Sequence, residues 1–397
     1  MPRILVRAHK PPDRVADAAT TLRRNLIGGN VGNLVFSQAT FRLLSRPGTR
    51  LTASPLGRSR VPARVRAALI SARTDHVVLP LANAFRSSHL RQLEALTDLI
   101  EHLRVPVTVL GVGAQAKLSG RYGGASKVAG PARRFVAAVL RRSPSLGVRG
   151  EFTYDFVRGL GFGEDEVRVI GCPSLFMHGP DLPALRTVDH LDQDSPIALT
   201  VSPYVAAMGP LSLRCAQEYP RLHYFAQNRQ TLELLLTGRY PLSDAEDEQR
   251  SSGVPVSLDH PLLRPGRTRF PLDPTTWFAE LARHDFAFGS RIHGTIAALL
   301  AGTPAVLLAH DARTLELARY HAIPYARITD VGSLDPADLY AAQDWVPMHQ
   351  AHAARWRTFV AFLAQHRLPH AYDGTGDRGA AFDDRLAEVA FPPVVTS

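Results

Sequence analysis

The sequence has 397 residues, more than a single hydrophobic core usually holds, so its length alone favours two domains. With 45% hydrophobic and 21% charged residues its composition is that of a globular protein and excludes wholesale disorder. The formal net charge of +10 comes almost entirely from arginine, since Lys10, Lys117 and Lys127 are the only lysines, and it favours anionic partners, although biased composition alone could also produce it.

Several classes of protein are disfavoured by what the sequence lacks. No dense basic run is interleaved with aromatic residues, which argues against nucleic-acid binding. The start "MPRILVRAHKPPD" has no apolar signal segment, and no uncharged stretch is long enough to span a bilayer. Cys172 and Cys215 are too few for a disulfide framework and lack metal-ligand spacing, so no metal site is expected. The sequence therefore predicts a soluble, cytoplasmic protein.

The first half alternates short apolar runs with helical patterns, which is typical of βα units around a parallel sheet. Helical periodicity is clearest in "SHLRQLEALTDLIEHL", where Leu93, Leu96, Ile100 and Leu103 recur every three or four residues. The predicted strands lie near 3–7, 76–81, 105–112, 145–149 and 167–171. The predicted helices cover 33–44, 88–103, 131–142 and 151–160.

A polar stretch at 178–196, rich in Pro and Asp, predicts a linker, after which the alternation starts again. The sequence therefore predicts an α/β fold with two Rossmann-like, doubly wound domains facing a cleft. Their expected bounds are 1–185 and 186–347, followed by a helix and an irregular tail over 348–397. The predicted strands of the second half are 197–202, 222–228, 285–289 and 304–309. Its predicted helices are 228–237, 274–284, one after residue 290, 312–321 and 348–366, with a loop over 238–268 and a tail after Asp373 that packs on the first domain or frays.

Ligands of open parallel sheets bind at the carboxyl ends of strands, so the strand-to-helix turns are the candidate sites. The turn before the helix at 33–44 contains Gly28, Gly29, Asn30 and Asn33, which suits a ligand-facing loop, although a plain glycine-rich connection has the same composition. It lacks the Lys-Ser/Thr ending of a phosphate-binding Walker loop.

Two further turns are less specific. The stretch 111–130, "GVGAQAKLSGRYGGASKVAG", contains Lys117, Arg121 and Lys127 and predicts a basic loop that closes on a phosphate or polymer, or else a solvated excursion. In "GVRGEF" Arg149 ends a strand and Glu151 begins a helix, where an ion pair or a helix-start carboxylate is favoured over catalysis.

The fourth turn, in "FGSRIHGTIAALLAGTPAVLLAHD" (288–311), carries the sharpest prediction. Ser290 is a suitable N-cap, which places Arg291 in the turn and His293 in the first helical turn, while Gly294 permits close approach. Cations at the positive end of a helix are unfavourable unless an anion binds there, so the turn predicts a phosphate or carboxylate site. The alternative is a core histidine beside a surface arginine.

Residues 285–324 resemble the C-terminal motif of the polysaccharide pyruvyltransferase family, in which a strand ends in Gly-x-Arg-x-His-Gly before a small-residue helix and a Gly-x-Pro turn. Weaker similarities extend the resemblance over 25–365: "GGNVGN" at the glycine loop, "GVGAQ" in mid-domain and "VRGEFTYDFVRGLG" at the Arg-x-Glu helix. Three departures stand out. Asn33 replaces a frequent Asp, "GCPS" replaces an Asp-Pro, and "HDAR" places Arg313 where a lysine is common.

The resemblance implies a GT-B-like fold and transfer of the carboxyvinyl unit of phosphoenolpyruvate to a sugar, forming a pyruvate ketal and releasing phosphate. It implies that Arg291 binds an anionic group of phosphoenolpyruvate and that His293 either donates a proton or only binds phosphate. The first domain would present the acceptor, a sugar, an oligosaccharide or a lipid-linked glycan, with peripheral contact at the inner face of the membrane. No cofactor is expected. The other expected substrate-binding residues are Gly28, Gly29, Asn30, Asn33, Gly113, Gln115, Lys117, Arg149, Ser290, Gly294, Asp311 and Arg313.

Two alternatives remain open at this point. A glycosyltransferase that uses a nucleotide-sugar donor would bind a diphosphate at the same turn and needs a late acidic residue for the ribose, for which Glu316 is a candidate. A catalytically silent binding protein is the other.

Overall fold

The computed structural model describes residues 1–116, 118, 125–241, 252–330 and 334–397, so Lys117 and Arg121 lie outside the described residues. The N-terminal half forms a parallel sheet in the order β2-β1-β3-β4, and a bridge between Val112 and Val148 continues it to the pair β5-β6. Its elements are β1 (Arg3–Arg7), α1 (Ala18–Arg24), α2 (Gly32–Leu44), β2 (Arg50–Ser54), α3 (Ala63–Arg73), β3 (His76–Pro80), α4 (Leu90–His102), β4 (Val107–Leu110), α5 (Ala125–Leu140), β5 (Leu146–Val148), α6 (Glu151–Gly159) and β6 (Val167–Val169).

The C-terminal half forms a second sheet in the order β12-β11-β10-β7-β8-β9-β13, parallel except for β13 at the edge. Its elements are β7 (Ile197–Thr200), α7 (Met208–Glu218), β8 (Leu222–Phe225), α8 (Arg229–Thr237), β9 (Thr268–Phe270), α9 (Pro274–Leu281), β10 (Phe286–Gly289), α10 (Ile292–Leu300), β11 (Ala305–Ala309), α11 (Ala312–His321), β12 (Tyr325–Arg327) and α12 (Pro336–Ala341). Three elements follow: α13 (Val346–Gln365), α14 (Ala380–Ala387) and β13 (Val395–Thr396).

Both sheets are doubly wound, which confirms the predicted fold class. In the first sheet the strand order reverses between β1 and β3, and in the second it reverses between β7 and β10. A reversal of this kind opens a crevice at the carboxyl ends of the two strands, where open α/β sheets bind ligands. The central strands β3, β4, β7, β10 and β11 are buried along their whole length, as expected of parallel strands covered by helices on both faces.

Several details differ from the sequence-based predictions. Helix α5 starts before the predicted residue 131 and contains Pro131 in its interior. The tail after Asp373 is less irregular than predicted, because Phe382 and Leu386 of α14 lie one turn apart and bury one helical face. Helix α13 packs on the N-terminal domain, where Phe359 joins a core with Ile4, while β13 pairs with β9 of the C-terminal sheet. Among the described residues, no helix is long and apolar enough to cross a bilayer.

Candidate functional site

A cleft of about 450 Å³ lies where the two strand-order reversals face each other. Its volume falls in the range of small-molecule binding sites. Within the described part of the chain, no Asp or Glu lines it. Its lining is strongly basic and includes Arg7, Arg86, Arg291, Arg313, His9, His89 and His293. The site is therefore electrostatically suited to an anionic ligand.

Arg291 is held at the N-terminus of α10, with its guanidinium at the cleft. Its Nε donates to the carbonyl of Val201 at 3.3 Å, Nη2 donates to Asn228 Oδ1, and its Cζ lies 5.2 Å from the ring centroid of Tyr204. Arg291 itself occupies the N-cap position, contrary to the prediction that Ser290 would. The Ser290 hydroxyl instead accepts from the amide of Ser202 at 2.8 Å, which joins the ends of β7 and β10.

His293 lies in the first turn of α10 beneath Arg291. Its Nε2 is 3.7 Å from Cys172 Sγ, and its ring centroid is 6.0 Å from that of Phe36 on α2. Burial first, then the charges of Arg149 and Arg313, lower the pKa of His293 to about 3. The imidazole is therefore neutral in the ligand-free site. A bound anion would raise this pKa.

Arg313 enters the cleft from the start of α11, positioned by Asp311. Asp311 caps that helix by accepting from the amide of Thr314 at 2.8 Å, and its other oxygen accepts from Arg313 Nε at 3.3 Å. Burial opposes ionisation of Asp311, but Arg313 and His310 outweigh it and lower its pKa to about 2. Asp311 does not line the cleft, so its contribution is to orient Arg313.

Arg149 is completely buried beneath the cleft rather than lining it. Its Nε and Nη2 donate to the carbonyl of Gly111 at 3.2 and 3.1 Å, and among the described residues Nη1 has no hydrogen-bond partner. Gly113 leaves room for this side chain, because a Cβ there would lie 2.5 Å from Arg149 Nε. Arg149 therefore adds positive charge close to His293 from below.

The glycine-rich turn that contains Gly28, Asn30 and Asn33, predicted to face a ligand, is fixed to the C-terminal domain. Asn30 Nδ2 donates to Asn228 Oδ1 at 3.0 Å, and the amide of Val31 donates to the carbonyl of Gln227 at 3.0 Å. Gly28 has a φ of +62°, and a Cβ there would lie 2.4 Å from the His9 ring. Its carbonyl accepts from Asn33 Nδ2 at 3.1 Å.

The structure brings together most of the predicted residues. Gly28, Gly29, Asn30, Asn33, Gln115, Ser290, Arg291, His293 and Arg313 all line the cleft. Gly294 does not, because the groups that approach it are Gln227 and Thr200 rather than a ligand. Lys127 is exposed on α5, and Lys117 lies outside the described residues.

Sequence reasoning missed four of these seven basic lining residues, as well as Tyr204, Gln227 and Asn228 of the C-terminal domain. Arg7 ends β1 and His9 follows it, and Arg86 and His89 lie between β3 and α4. Both strands are correctly predicted from the sequence, so the rule that ligands bind at carboxyl ends of strands would have found these residues had it been applied to every strand.

A family model described as polysaccharide pyruvyl transferase matches residues 30–312. The chain belongs to the polysaccharide pyruvyl transferase family. The matched range contains Arg291 and His293 and ends just before Arg313. No curated protein matches the sequence. Within the described residues, no group of three His, Cys, Asp or Glu side chains is arranged to hold a metal ion.

Solved structures share the fold of this pyruvyl transferase family member at very low identity. The UDP-GlcNAc 2-epimerase of Methanocaldococcus jannaschii, solved with UDP-GlcNAc and UDP, is 9% identical with a TM-score of 0.51, covering 91% of this chain and 99% of that chain. Sucrose-phosphate synthase of Thermosynechococcus elongatus is 11% identical with a TM-score of 0.45, covering 97% of this chain and 99% of that chain. The feature shared with the Methanocaldococcus jannaschii epimerase is the GT-B-type arrangement of two Rossmann-like domains.

Proposed function

We propose that the protein transfers the carboxyvinyl unit of phosphoenolpyruvate to a sugar and closes a cyclic pyruvate ketal with release of phosphate. The observation that carries this proposal is the pair Arg291 and Arg313 at the start of α10 and α11, in a cleft that no described carboxylate lines. Phosphoenolpyruvate carries a phosphate and a carboxylate, and two guanidinium groups can bind the two anions by charge-assisted hydrogen bonds.

The chemistry needs a proton at the methylene carbon of phosphoenolpyruvate. That proton makes C2 electrophilic, and the oxygen of one sugar hydroxyl forms a bond to C2 while its own proton is released. A second hydroxyl then attacks C2, the C2–O bond to phosphate breaks, and phosphate leaves with the electron pair. The two hydroxyl protons balance the proton gained by the methyl group and the proton released with phosphate.

His293 is the proposed proton donor. Its imidazole is neutral in the free protein, and a phosphate beside it favours the protonated form. Binding of phosphoenolpyruvate would therefore itself promote protonation of His293. General acid catalysis of this kind contributes about 10²–10⁴-fold to a rate. Arg291 and Arg313 would bind phosphoenolpyruvate and stabilise the negative charge on the departing phosphate.

The acceptor would lie on the N-terminal side of the cleft and reach across to the C-terminal side. Two buried polar atoms of lining residues, Asn83 Oδ1 on the N-terminal side and Gln227 Nε2 on the C-terminal side, have no hydrogen-bond partner among the described residues. One accepts and the other donates, which suits the hydroxyls of a sugar. A sugar of a polysaccharide or of a lipid-linked glycan fits this reading, with the enzyme in the cytoplasm and, for a lipid-linked acceptor, at the inner face of the membrane.

Glu316 argues against the glycosyltransferase alternative. Its oxygens accept from the amide and the hydroxyl of Thr153 at 2.9 and 2.7 Å, and it does not line the cleft. The Glu316 carboxylate is therefore not positioned to bind a ribose in the cleft.

Thermal denaturation in the presence of phosphoenolpyruvate or of UDP tests the proposal. A ligand at 100 times its Kd stabilises a protein by about 2.7 kcal/mol, which is an easily measured shift in Tm. Phosphoenolpyruvate is expected to stabilise the wild type and to have no effect on Arg291→Ala. The matched control is Arg283→Ala, which removes an exposed arginine paired with Glu280 and should respond like the wild type. Stabilisation by UDP instead of phosphoenolpyruvate would overturn the proposal.

A further inference from the structure

A second basic cluster lies on the N-terminal side of the cleft, at the carboxyl ends of β1 and β3. Arg7 is the last residue of β1 and His9 follows it, while Arg86 and His89 lie in the turn between β3 and α4. We call these four residues the N-terminal basic cluster. They surround the strand-order reversal of the first sheet, just as Arg291 lies at the reversal of the second sheet.

The N-terminal basic cluster is not neutralised within the protein. Neither Arg7 nor Arg86 forms an ion pair among the described residues, and Arg86 Nε is a buried donor without a partner there. Burial lowers the pKa of Arg7 to about 10. Burial, together with Arg7, lowers the pKa of His9 to about 4, and burial with Arg86 and Arg7 does the same for His89. Such an arrangement is unfavourable in the free protein unless a ligand brings negative charge.

The arginines on the C-terminal side differ in this respect. Arg291 is hydrogen-bonded to Asn228, and Arg313 to Asp311, so both are held in place before any ligand arrives. The crevices of the two sheets open into one cleft, whose N-terminal and C-terminal sides carry different cations. The two sides are close, because burial first and then the charge of Arg313 lower the pKa of Arg86. The donor binds on the C-terminal side in the proposed function, which leaves the N-terminal basic cluster for the acceptor.

We infer that the acceptor is itself anionic, a carbohydrate that carries a phosphate or a carboxylate, and that Arg7 and Arg86 bind this group. The identification of the bound molecule as the acceptor rests on the proposed function, whereas the anion subsite is defined by the N-terminal basic cluster alone. Guanidinium groups bind both kinds of oxyanion bidentately, so phosphorylated and uronic-acid sugars share the required chemistry. Asn83 Oδ1, between β3 and Arg86 in the sequence, would accept from a hydroxyl of the same sugar.

Calorimetric titration of the full chain saturated with phosphoenolpyruvate tests the inference with three probes: galactose 1-phosphate, galacturonate and neutral galactose. At least one charged probe is expected to bind more tightly than galactose, and the preferred probe identifies the anion as phosphate or carboxylate. Arg7→Gln and Arg86→Gln should each weaken that binding by about tenfold or more, since each removes a charge-assisted contact. The affinity for phosphoenolpyruvate should change by less than about threefold, well below one such contact.

The free protein provides an independent readout that also controls for folding. Removing an uncompensated, half-buried charge should leave the Tm of unliganded Arg7→Gln and Arg86→Gln unchanged or higher than that of the wild type. The matched control is Arg3→Gln at the opposite end of β1, where Arg3 pairs with Asp75 at 2.7 Å on the surface. This variant should lower the Tm slightly and leave the binding of all probes unchanged.

Three results would separate the inference from the proposed function. If Arg7→Gln and Arg86→Gln weaken phosphoenolpyruvate as much as Arg291→Ala does, the cluster belongs to the donor site and the inference is wrong. It is also wrong if the charged probes bind no better than galactose. If phosphoenolpyruvate does not bind but a charged probe does, and depends on Arg7 and Arg86, the proposed function fails and the anion subsite stands.

Discussion

Glu316 on α11 of the C-terminal domain caps α6 of the N-terminal domain through Thr153. Its two carboxylate oxygens accept from the Thr153 hydroxyl at 2.7 Å and from the Thr153 amide at 2.9 Å. The backbone at the start of α6 can approach Glu316 this closely only because residue 150 is glycine. A Cβ at residue 150 would lie 2.8 Å from Glu316 Oε2. A helix N-terminus needs an acceptor for its free amides, and here a different domain supplies it.

This contact predicts a pH-dependent contribution to stability. Burial raises the pKa of Glu316 from 4.5 to about 7, so the folded state takes up a proton between these values. The contribution of Glu316 is therefore full below about pH 4.5 and is lost as the pH rises through about 7. The loss amounts to about 3 kcal/mol. Urea unfolding of the wild type and Glu316→Gln from pH 4 to 8 measures it. The difference between the two proteins should change in favour of Glu316→Gln as the pH rises, and a constant difference would contradict the prediction.

His293 should change its protonation when the donor binds. Its pKa of about 3 in the free protein should rise toward neutrality with phosphoenolpyruvate, because an anion stabilises the imidazolium. Titration of the His293 ring signal by NMR, assigned with His293→Gln, measures this shift. In turnover His293→Gln should lower kcat by about 10²–10⁴-fold with a smaller change in KM. A ring signal that does not respond to phosphoenolpyruvate would show that the anion binds elsewhere.

The N-terminus of α2 should be intolerant of a side chain. A Cβ at Gly32 would lie 2.7 Å from the Cβ of His293 and 2.9 Å from Asn30 Oδ1, so Gly32→Ala must displace one of them. We expect a fall in kcat of up to about 10²-fold, the cost of misplacing a catalytic group by about 1 Å. Gly130→Ala on α5 is the matched control. Among the described residues, no atom apart from its chain neighbours and its own helix backbone lies within 4 Å of a Cβ at Gly130, so alanine there should leave kcat unchanged.

Asp311→Asn should separate helix capping from charge. Asparagine caps a helix as well as aspartate does, so the variant keeps the bond to the Thr314 amide and loses the negative charge and the acceptor oxygen beside Arg313. The lowered pKa of Asp311, about 2 against 3.8, corresponds to about 2 kcal/mol of stability. This stability is present above about pH 3.8 and is lost as the pH falls through about 2. Urea unfolding at pH 7 measures it. Asp17→Asn, at the exposed N-cap of α1, should have little effect, and equal losses in the two variants would contradict the role of Arg313.

The strands that the sequence predicts are those with the strongest hydrophobic signal. Strands β3 and β4 are buried on both faces and therefore read as continuous apolar runs. Strand β2, "RLTAS", lies half-exposed at the edge of its sheet, and α3 buries only Ala67, so neither shows an apolar pattern long enough to detect. Their places in the fold come from tertiary contacts.

The same limit applies to the site. Arg291 and His293 lie in one contiguous strand–turn–helix unit, which makes their shared role visible in the sequence. Arg7 and Arg86 come together only because β1 pairs with β3, which no local pattern reveals. The position of Glu316 in the sequence made it a candidate for binding a ribose. In the structure its carboxylate accepts hydrogen bonds from Thr153, a residue of the other domain.

The packing of α13 also affects how the chain folds as it is synthesised. Ile4 and Val6 of the first strand share a buried cluster with Phe359 and Phe362, near the other end of the sequence. The N-terminal domain therefore lacks part of its core until α13 has left the ribosome, after all of the C-terminal sheet except its edge strand β13 has been made. Contacts between residues so distant in sequence form late, because closing a long loop must precede them. The two domains should consequently complete their folding together rather than one after the other, and the N-terminal sheet should expose apolar surface until they do.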